Sequence, residues 1–278
     1  MPLVTPHDAL RRARDHHRGL AAFNVVQLEH AEAYATAAEA TGRTVVLQIS
    51  QNAVRYHGAL APLARAAVEV AQACTAPLVL HLDHADDRAL VREALSLGFT
   101  SVMFDASALP YDENVASTAE VVAEAHALGV AVEAELGEVG GKDGVHAPGV
   151  RTDPAEATEF VAATGVDSLA VAVGSSHAMT ERTADLDLER IAALRAALAV
   201  PLVLHGSSGV PDSTLTAAVR AGMTKINIAT HLNHALTDAV RAYLAEHPGV
   251  VDPRKYLGAG REAVTDEVMR LLTVIDAV

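Results

Sequence analysis

The chain has 278 residues, half of them apolar and only 3% aromatic, with a net charge of −14, a single cysteine (Cys74) and no tryptophan. That charge excludes the basic footprint of a nucleic-acid binder, and one cysteine excludes an internal disulfide framework or a cysteine-based zinc site. No apolar run approaches the roughly 18 residues of a membrane span, and the first residues carry no signal-peptide apolar region, so a soluble, cytoplasmic chain without a membrane partner is expected.

Short apolar runs alternate with alanine-rich segments from end to end. They predict strands at 21–26 (AAFNVV), 44–50 (TVVLQIS), 77–83 (PLVLHLD), 101–105 (SVMFD), 130–136 (VAVEAEL), 168–173 (SLAVAV), 201–205 (PLVLH) and 225–230 (KINIAT). Intervening stretches such as EHAEAYATAAEATG and TLTAAVRAG read as helices closed by glycine. Eight strands, each followed by a helix, predict an α/β chain folded as a single (β/α)8 TIM barrel over residues 1–278, with additional C-terminal helices. A doubly wound open sheet is the alternative. The missing Gly-x-Gly fingerprint after the first strand counts against it.

Two of the strands end alike: PLVLHLDHADD at 77–87 and PLVLHGSSG at 201–209. Strand side chains alternate, so Val79, His81 and Asp83 share one face while Leu78, Leu80 and Leu82 share the other. The leucines suit the helix-facing side, which leaves His81 and Asp83 toward the barrel axis. The same alternation turns Glu133, Glu135, Val203, His205 and Asn227 inward. Polar residues thus gather at the C-terminal ends of the strands: Asn24, Ser50, Asp83, His84, Asp105, Glu135, His177, His205 and Asn227. Barrel enzymes keep their active sites at that end.

Within that set, His84, His177 and His205 stand at or just beyond strand ends. Three imidazoles can bind zinc and leave a coordination position open, although each alone would more readily be a hydrogen-bonded rim histidine. Asp83 beside His84 could merely orient it, and His81 sits too deep to be a good ligand. HGSSGVPD (205–212) and NIAT (227–230) open the seventh and eighth helices, where backbone N–H groups can hold a phosphate or simply be capped. GEVGGKDGVHAPG (137–149) reads as a mobile rim loop, either a solvated linker or a lid that delivers Asp143.

Taken in order, AFNV, HLDH, SVMFDAS, VEAELGEVGG, GVDSLAVAVGSSH, PLVLHGSSG, KINIAT and DPRKY resemble the class II, zinc-dependent ketose-bisphosphate aldolases over nearly the whole chain, most closely the tagatose-type branch. The resemblance implies one catalytic zinc (Zn2+) per chain on His84, His177 and His205, with Glu135 and Asp105 as further ligands. It implies Asp83 as the acid/base at the C4 hydroxyl. Asp143 takes the place where many relatives carry a glutamate that exchanges the proton of the three-carbon unit. The implied substrate site takes in Asn24, Ser50 and Asn227 at strand ends and Ala178 after the second histidine. Ser207 and Ala229 belong to it too, beside Gly206, Ser208 and Thr230, which would hold the phosphate of dihydroxyacetone phosphate. A monovalent cation is a further implied cofactor, a small phosphorylated sugar the implied partner, and a homodimer or homotetramer the implied assembly.

Relatives carry glycine where Ala178 follows His177, and an arginine for the distal phosphate where Gly258 stands. Arg261, one helical turn along, is the expected replacement. The implied reaction is reversible cleavage of a ketose (bis)phosphate to dihydroxyacetone phosphate and an aldehyde, glyceraldehyde 3-phosphate if the substrate is a bisphosphate. Alternatives are a ketose 1-phosphate aldolase releasing an unphosphorylated aldehyde, or a non-catalytic barrel subunit of an aldolase complex. A hydrolase or sugar isomerase would need a metal-bound water or a second metal with more carboxylates. Lys225 and the loop lysine form no Schiff-base constellation.

Overall fold

The computed structural model describes residues 3–137, 151–177, 179 and 181–276. Eight parallel strands close into a barrel in sequence order: β1 (Leu20–Asn24), β2 (Val45–Ser50), β3 (Leu78–Ala85), β4 (Ser101–Phe104), β5 (Ala131–Leu136), β6 (Ser168–Val171), β7 (Leu202–Leu204) and β8 (Met223–Ile228). Closure comes from β8 pairing back onto β1, with Ala22 opposite Asn227. Each predicted strand is present with its ends shifted by no more than two residues.

Helices α1 (Pro6–Asp15), α2 (Leu28–Thr41), α3 (Gln51–His57), α4 (Ala61–Ala73), α5 (Arg88–Ser96) and α6 (Tyr111–His126) belong to the first half. The second half supplies α7 (Pro154–Thr164), α8 (Leu188–Ala197), α9 (Asp212–Ala221), α10 (Thr230–Glu246) and α11 (Pro253–Val274). The expected glycine stops hold: α2 ends at Gly42 in the left-handed region, and α9 ends at Gly222 with φ 132°. With few aromatics, the helices pack through small residues. Ala31, Ala33, Ala37 and Ala38 of α2 are buried, and Gly260 lets α11 come against Val240 and Leu236 of α10. Among the described residues no helix is long and apolar enough to cross a membrane.

The barrel interior is layered. Outward-facing Leu78, Leu80 and Leu82 join the large core between strands and helices, as the alternation predicts. Inside, the N-terminal end is apolar: Leu20, Ala22, Val46 and Val79 pack with Leu10 and Ala13 of α1, which plugs that end. Above this floor the interior turns polar, with His81, Ser101, Glu133, Ser168 and Lys225 all buried. Asp83, Glu135, His205 and Asn227 are buried as well, nearer the C-terminal ends of their strands. A barrel filled this way depends on its small apolar floor.

Leu10→Ala should therefore lower stability by about 2–5 kcal/mol, the usual cost of emptying a buried leucine site. Arg12→Ala, on the exposed side of the same helix, should change it by less than about 0.5 kcal/mol. Urea denaturation of the two variants checks this. Equal midpoints would show that α1 is not a structural plug.

Candidate active site

Alternation alone would place Asp83 inside the barrel and its neighbour His84 outside. The structure brings both inward through a bulge. On β3, Leu82 pairs with Val102 and Ala85 with Phe104, so β3 carries one residue more than β4 over this interval. His84 takes φ 50°, a left-handed conformation uncommon for any residue but glycine. Bulges next to active sites commonly re-aim a side chain in this way. Here the bulge sets the His84 ring 4.9 Å from that of His177 and 4.5 Å from that of His205, centroid to centroid.

The other two histidines meet because two loops touch. Gly206, just after β7, has φ 65°, and a Cβ on it would lie 2.6 Å from the Ser176 backbone. Only glycine permits both that conformation and that approach. The contact draws His177, after β6, to 5.8 Å from His205. Glu135 reaches in from β5. His84, Glu135, His177 and His205 each offer a ligand atom, and these atoms all lie within 4.8 Å of one another.

Three imidazole nitrogens and one carboxylate oxygen suit a borderline-soft divalent metal, and the surroundings fit that use. Asp105 Oδ2 lies 3.0 Å from His84 Nδ1, leaving the other ring nitrogen toward the cluster. Ser107 in turn donates to Asp105 through its hydroxyl, 2.6 Å away. Asp105 thus stands behind a histidine and outside the four-residue group, an orienting position rather than the ligand position expected for it. His205 lies between Glu135, 2.9 Å from its Nδ1, and Glu133, 3.0 Å from its Nε2. Burial would push this imidazole down, but the two carboxylates outweigh it and raise its pKa to about 9. His81 stays one layer deeper, against Ser101 and Lys225.

Asp83 is buried beside this cluster, with Oδ1 4.0 Å from His84 Nε2. Its two oxygens accept from the amides of Asn24 (3.1 Å) and Asn227 (3.4 Å). Asn24 is fixed in turn, since its side-chain oxygen accepts from Gln48 and its carbonyl from the Tyr34 hydroxyl. Burial acts to raise the Asp83 pKa, yet the positive charge of His84, His205 and Lys225 holds it below the usual range. The carboxylate is ionised and aimed.

Above these groups opens a cavity of about 180 Å³. Its walls include Asn24, Ser50, Asp83, His84 and His177, and on the far side Gly206, Ser208, Asn227, Ala229 and Thr230. Ser208 Oγ accepts from the N–H groups of Ala229 and His231, at 3.2 and 3.3 Å, and so ties the β7 loop to the start of α10. Gln48 and Asn52 also line the cavity and stand outside the expected set. Alternation past Val46 would have turned Gln48 inward; nothing in the local pattern marks Asn52.

Two expected substrate contacts lie elsewhere. Ser207 is buried and donates its hydroxyl to the Leu204 carbonyl, because the tight turn after Gly206 points it back into the barrel wall. Arg261 sits on α11 and pairs with Glu32 of α2 at 2.5 Å, because the two helices pack along each other away from the cavity. Asp143, Ala178 and the expected lid beyond Gly137 lie outside the described residues.

Comparison with known proteins accords with this site. Residues 4–278 match the family described as "Fructose-bisphosphate aldolase class-II". The chain is 40% identical to the fructose-bisphosphate aldolase of Giardia intestinalis, covering 96% of this chain and 90% of that one. It is 40% identical to the probable fructose-bisphosphate aldolase of Bacillus subtilis, covering 97% and 96% of the two chains. Among solved structures, the YdjI aldolase from Escherichia coli K12 superposes with a TM-score of 0.89 at 32% identity, over 99% of this chain and 98% of that one. The chain belongs to the class II fructose-bisphosphate aldolase family, and is a lyase that carries out aldol cleavage of a phosphosugar.

Proposed function

We propose that this enzyme reversibly cleaves a ketose phosphate between C3 and C4, giving dihydroxyacetone phosphate and an aldehyde. In this reading His84, His177 and His205 hold a catalytic zinc ion, with Glu135 beside them as a fourth oxygen donor. The observation that carries it is Asp83, a buried and ionised carboxylate held by two amides 4.0 Å from His84. Bound zinc supplies a Lewis acid that stabilises the negative charge left on the three-carbon fragment.

The residues of the chain do the rest. Asp83 takes the proton of the C4 hydroxyl during cleavage and returns it during condensation. Asn24 and Asn227 keep both of its oxygens in place, so the carboxylate is oriented before substrate arrives. Opposite, the backbone at Gly206, the Ser208 hydroxyl and the start of α10 at Thr230 receive the phosphate, a site that helix N-termini favour. Asp143 exchanges the proton of the three-carbon unit.

Replacing His205 with alanine should remove most bound zinc and all lyase activity. Asp83→Ala should keep the zinc and lower kcat by roughly 10²–10⁴-fold, the usual worth of a positioned acid or base. Metal analysis and a coupled assay on both proteins check this. Full zinc occupancy in the first variant, or normal turnover in the second, would sink these roles.

The substrate is a ketose 1-phosphate or a bisphosphate, and one observation favours the former. Among the described residues, no arginine or lysine lines the cavity, and Gly258 stands where a distal-phosphate arginine is expected. A second phosphate then gains little, because its strongest partner is a bidentate guanidinium. We expect kcat/KM for fructose or tagatose 1,6-bisphosphate to exceed that for the matching ketose 1-phosphate by less than about tenfold, a gap of ~1.4 kcal/mol. Gly258→Arg adds a Cβ with nothing within 4 Å of it and should widen that ratio. A thousandfold wild-type preference abolished by Arg261→Ala would show instead that Arg261 binds the second phosphate. Comparing the two bisphosphates in the same assay also decides whether the tagatose-type resemblance extends to substrate.

A further inference from the structure

One buried cluster has no part in the chemistry above. Glu133, Lys225 and His81 lie inside the barrel, 1%, 3% and 1% exposed. Lys225 Nζ donates to Glu133 Oε2 at 2.8 Å and lies 3.4 Å from His81 Nε2. His81 Nδ1 is 2.7 Å from the Ser101 hydroxyl. Burial holds His81 neutral, its pKa pushed down to about 3 with Lys225 adding to the effect. Its Nε2 therefore accepts from Lys225, and its Nδ1–H donates to Ser101. Two acceptors fix the lysine, and the lysine fixes Glu133.

The remaining oxygen of Glu133 faces His205. Glu133 Oε1 is 3.0 Å from His205 Nε2, and His205 is fully buried. Glu133 thus bridges Lys225 and His205, one oxygen to each. Glu133 stands outside the four-residue ligand group, so Nε2 is the ring nitrogen turned away from it; with Nδ1 on a metal, Nε2 keeps the proton and donates it to Glu133. That leaves Nδ1, 2.9 Å from Glu135, as the nitrogen turned to the ligand cluster.

Resting on the metal reading above, we propose that Glu133, held by Lys225, is a positioning residue that fixes the tautomer and ring orientation of His205 so that Nδ1 is its metal ligand. The Ser101–His81–Lys225–Glu133 chain is then an internal support for the metal centre and not only a filling of the barrel. Carboxylates placed behind ligating histidines typically strengthen metal binding by 10- to 100-fold. An ion pair with a purely structural role would behave otherwise. Replacing both of its charges by apolar groups of similar size is often neutral for folding, and would leave metal affinity untouched.

The test separates those two roles. The double variant Glu133→Leu/Lys225→Met removes the pair without stranding a charge, and Glu133→Gln/Lys225→Met restores one acceptor for the His205 N–H. Zinc affinity is measured by chelator competition, alongside the melting temperature of each metal-free protein. The expected result is zinc binding weakened about 10- to 100-fold in the leucine double variant, with the glutamine double variant recovering most of it at a similar melting temperature. Wild-type zinc affinity in the leucine double variant would overturn this proposal alone. Wild-type protein that binds no zinc, or binds it as tightly after His205→Ala, would overturn the metal reading and this proposal together. Nitrogen-15 NMR of the zinc-loaded wild-type enzyme needs no variant. It should show the His205 proton on Nε2, and a proton on Nδ1 would overturn the assignment.

Discussion

His205 lies fully buried between Glu133 and Glu135, and the rest of the site is arranged around that placement. Two carboxylates against one imidazole in a barrel interior are costly to desolvate, and such groups persist only when nearly every polar atom is matched. The matching is done from below by Lys225, His81 and Ser101. From above, the neighbouring imidazoles of His84 and His177 complete the set. A polar column of this kind cannot also be the hydrophobic core. That work passes to the shell between strands and helices and to the apolar floor beneath.

The same placement explains two local irregularities. His84 adopts a left-handed conformation at a strand bulge, and Gly206 does so in the turn that lies against Ser176. Unusual backbone conformations cost free energy and survive where the surrounding structure fixes them, often at functional sites. Both irregularities bring a histidine to the cluster that a regular strand and a looser turn would hold apart. The Asp83 carboxylate benefits too. It keeps its regular inward direction one residue before the bulge, so the proposed acid/base and the proposed ligand are sequence neighbours on one side of the cavity.

Much of this was legible in the sequence, for physical reasons that can be named. Strands buried on both faces read as continuous apolar runs, so all eight were found. Two-residue alternation then correctly turned Asp83, Glu133, Glu135, His205 and Asn227 inward, and Gln48 follows the same rule although it was not singled out. What alternation cannot read is a bulge; His84 was singled out by its place at a strand end and by the resemblance, and its inward turn depends on the bulge. Ser207 and Arg261 do not line the cavity, for related reasons. The first sits in a turn whose direction depends on the conformation of Gly206, and the second on a helix whose neighbour is decided by long-range packing. Asp105 was expected as a ligand from the resemblance alone; its place behind His84 and outside the four-residue group is a tertiary fact.

The central claim is that three imidazoles from three different strand ends meet on one zinc ion. X-ray absorption at the zinc K edge of the purified, zinc-loaded enzyme tests it most directly. The account predicts a nearest shell of nitrogen and oxygen at about 2.0–2.2 Å with the outer-shell scattering of three imidazole rings. A shell without imidazole scattering, or with one ring only, would contradict it.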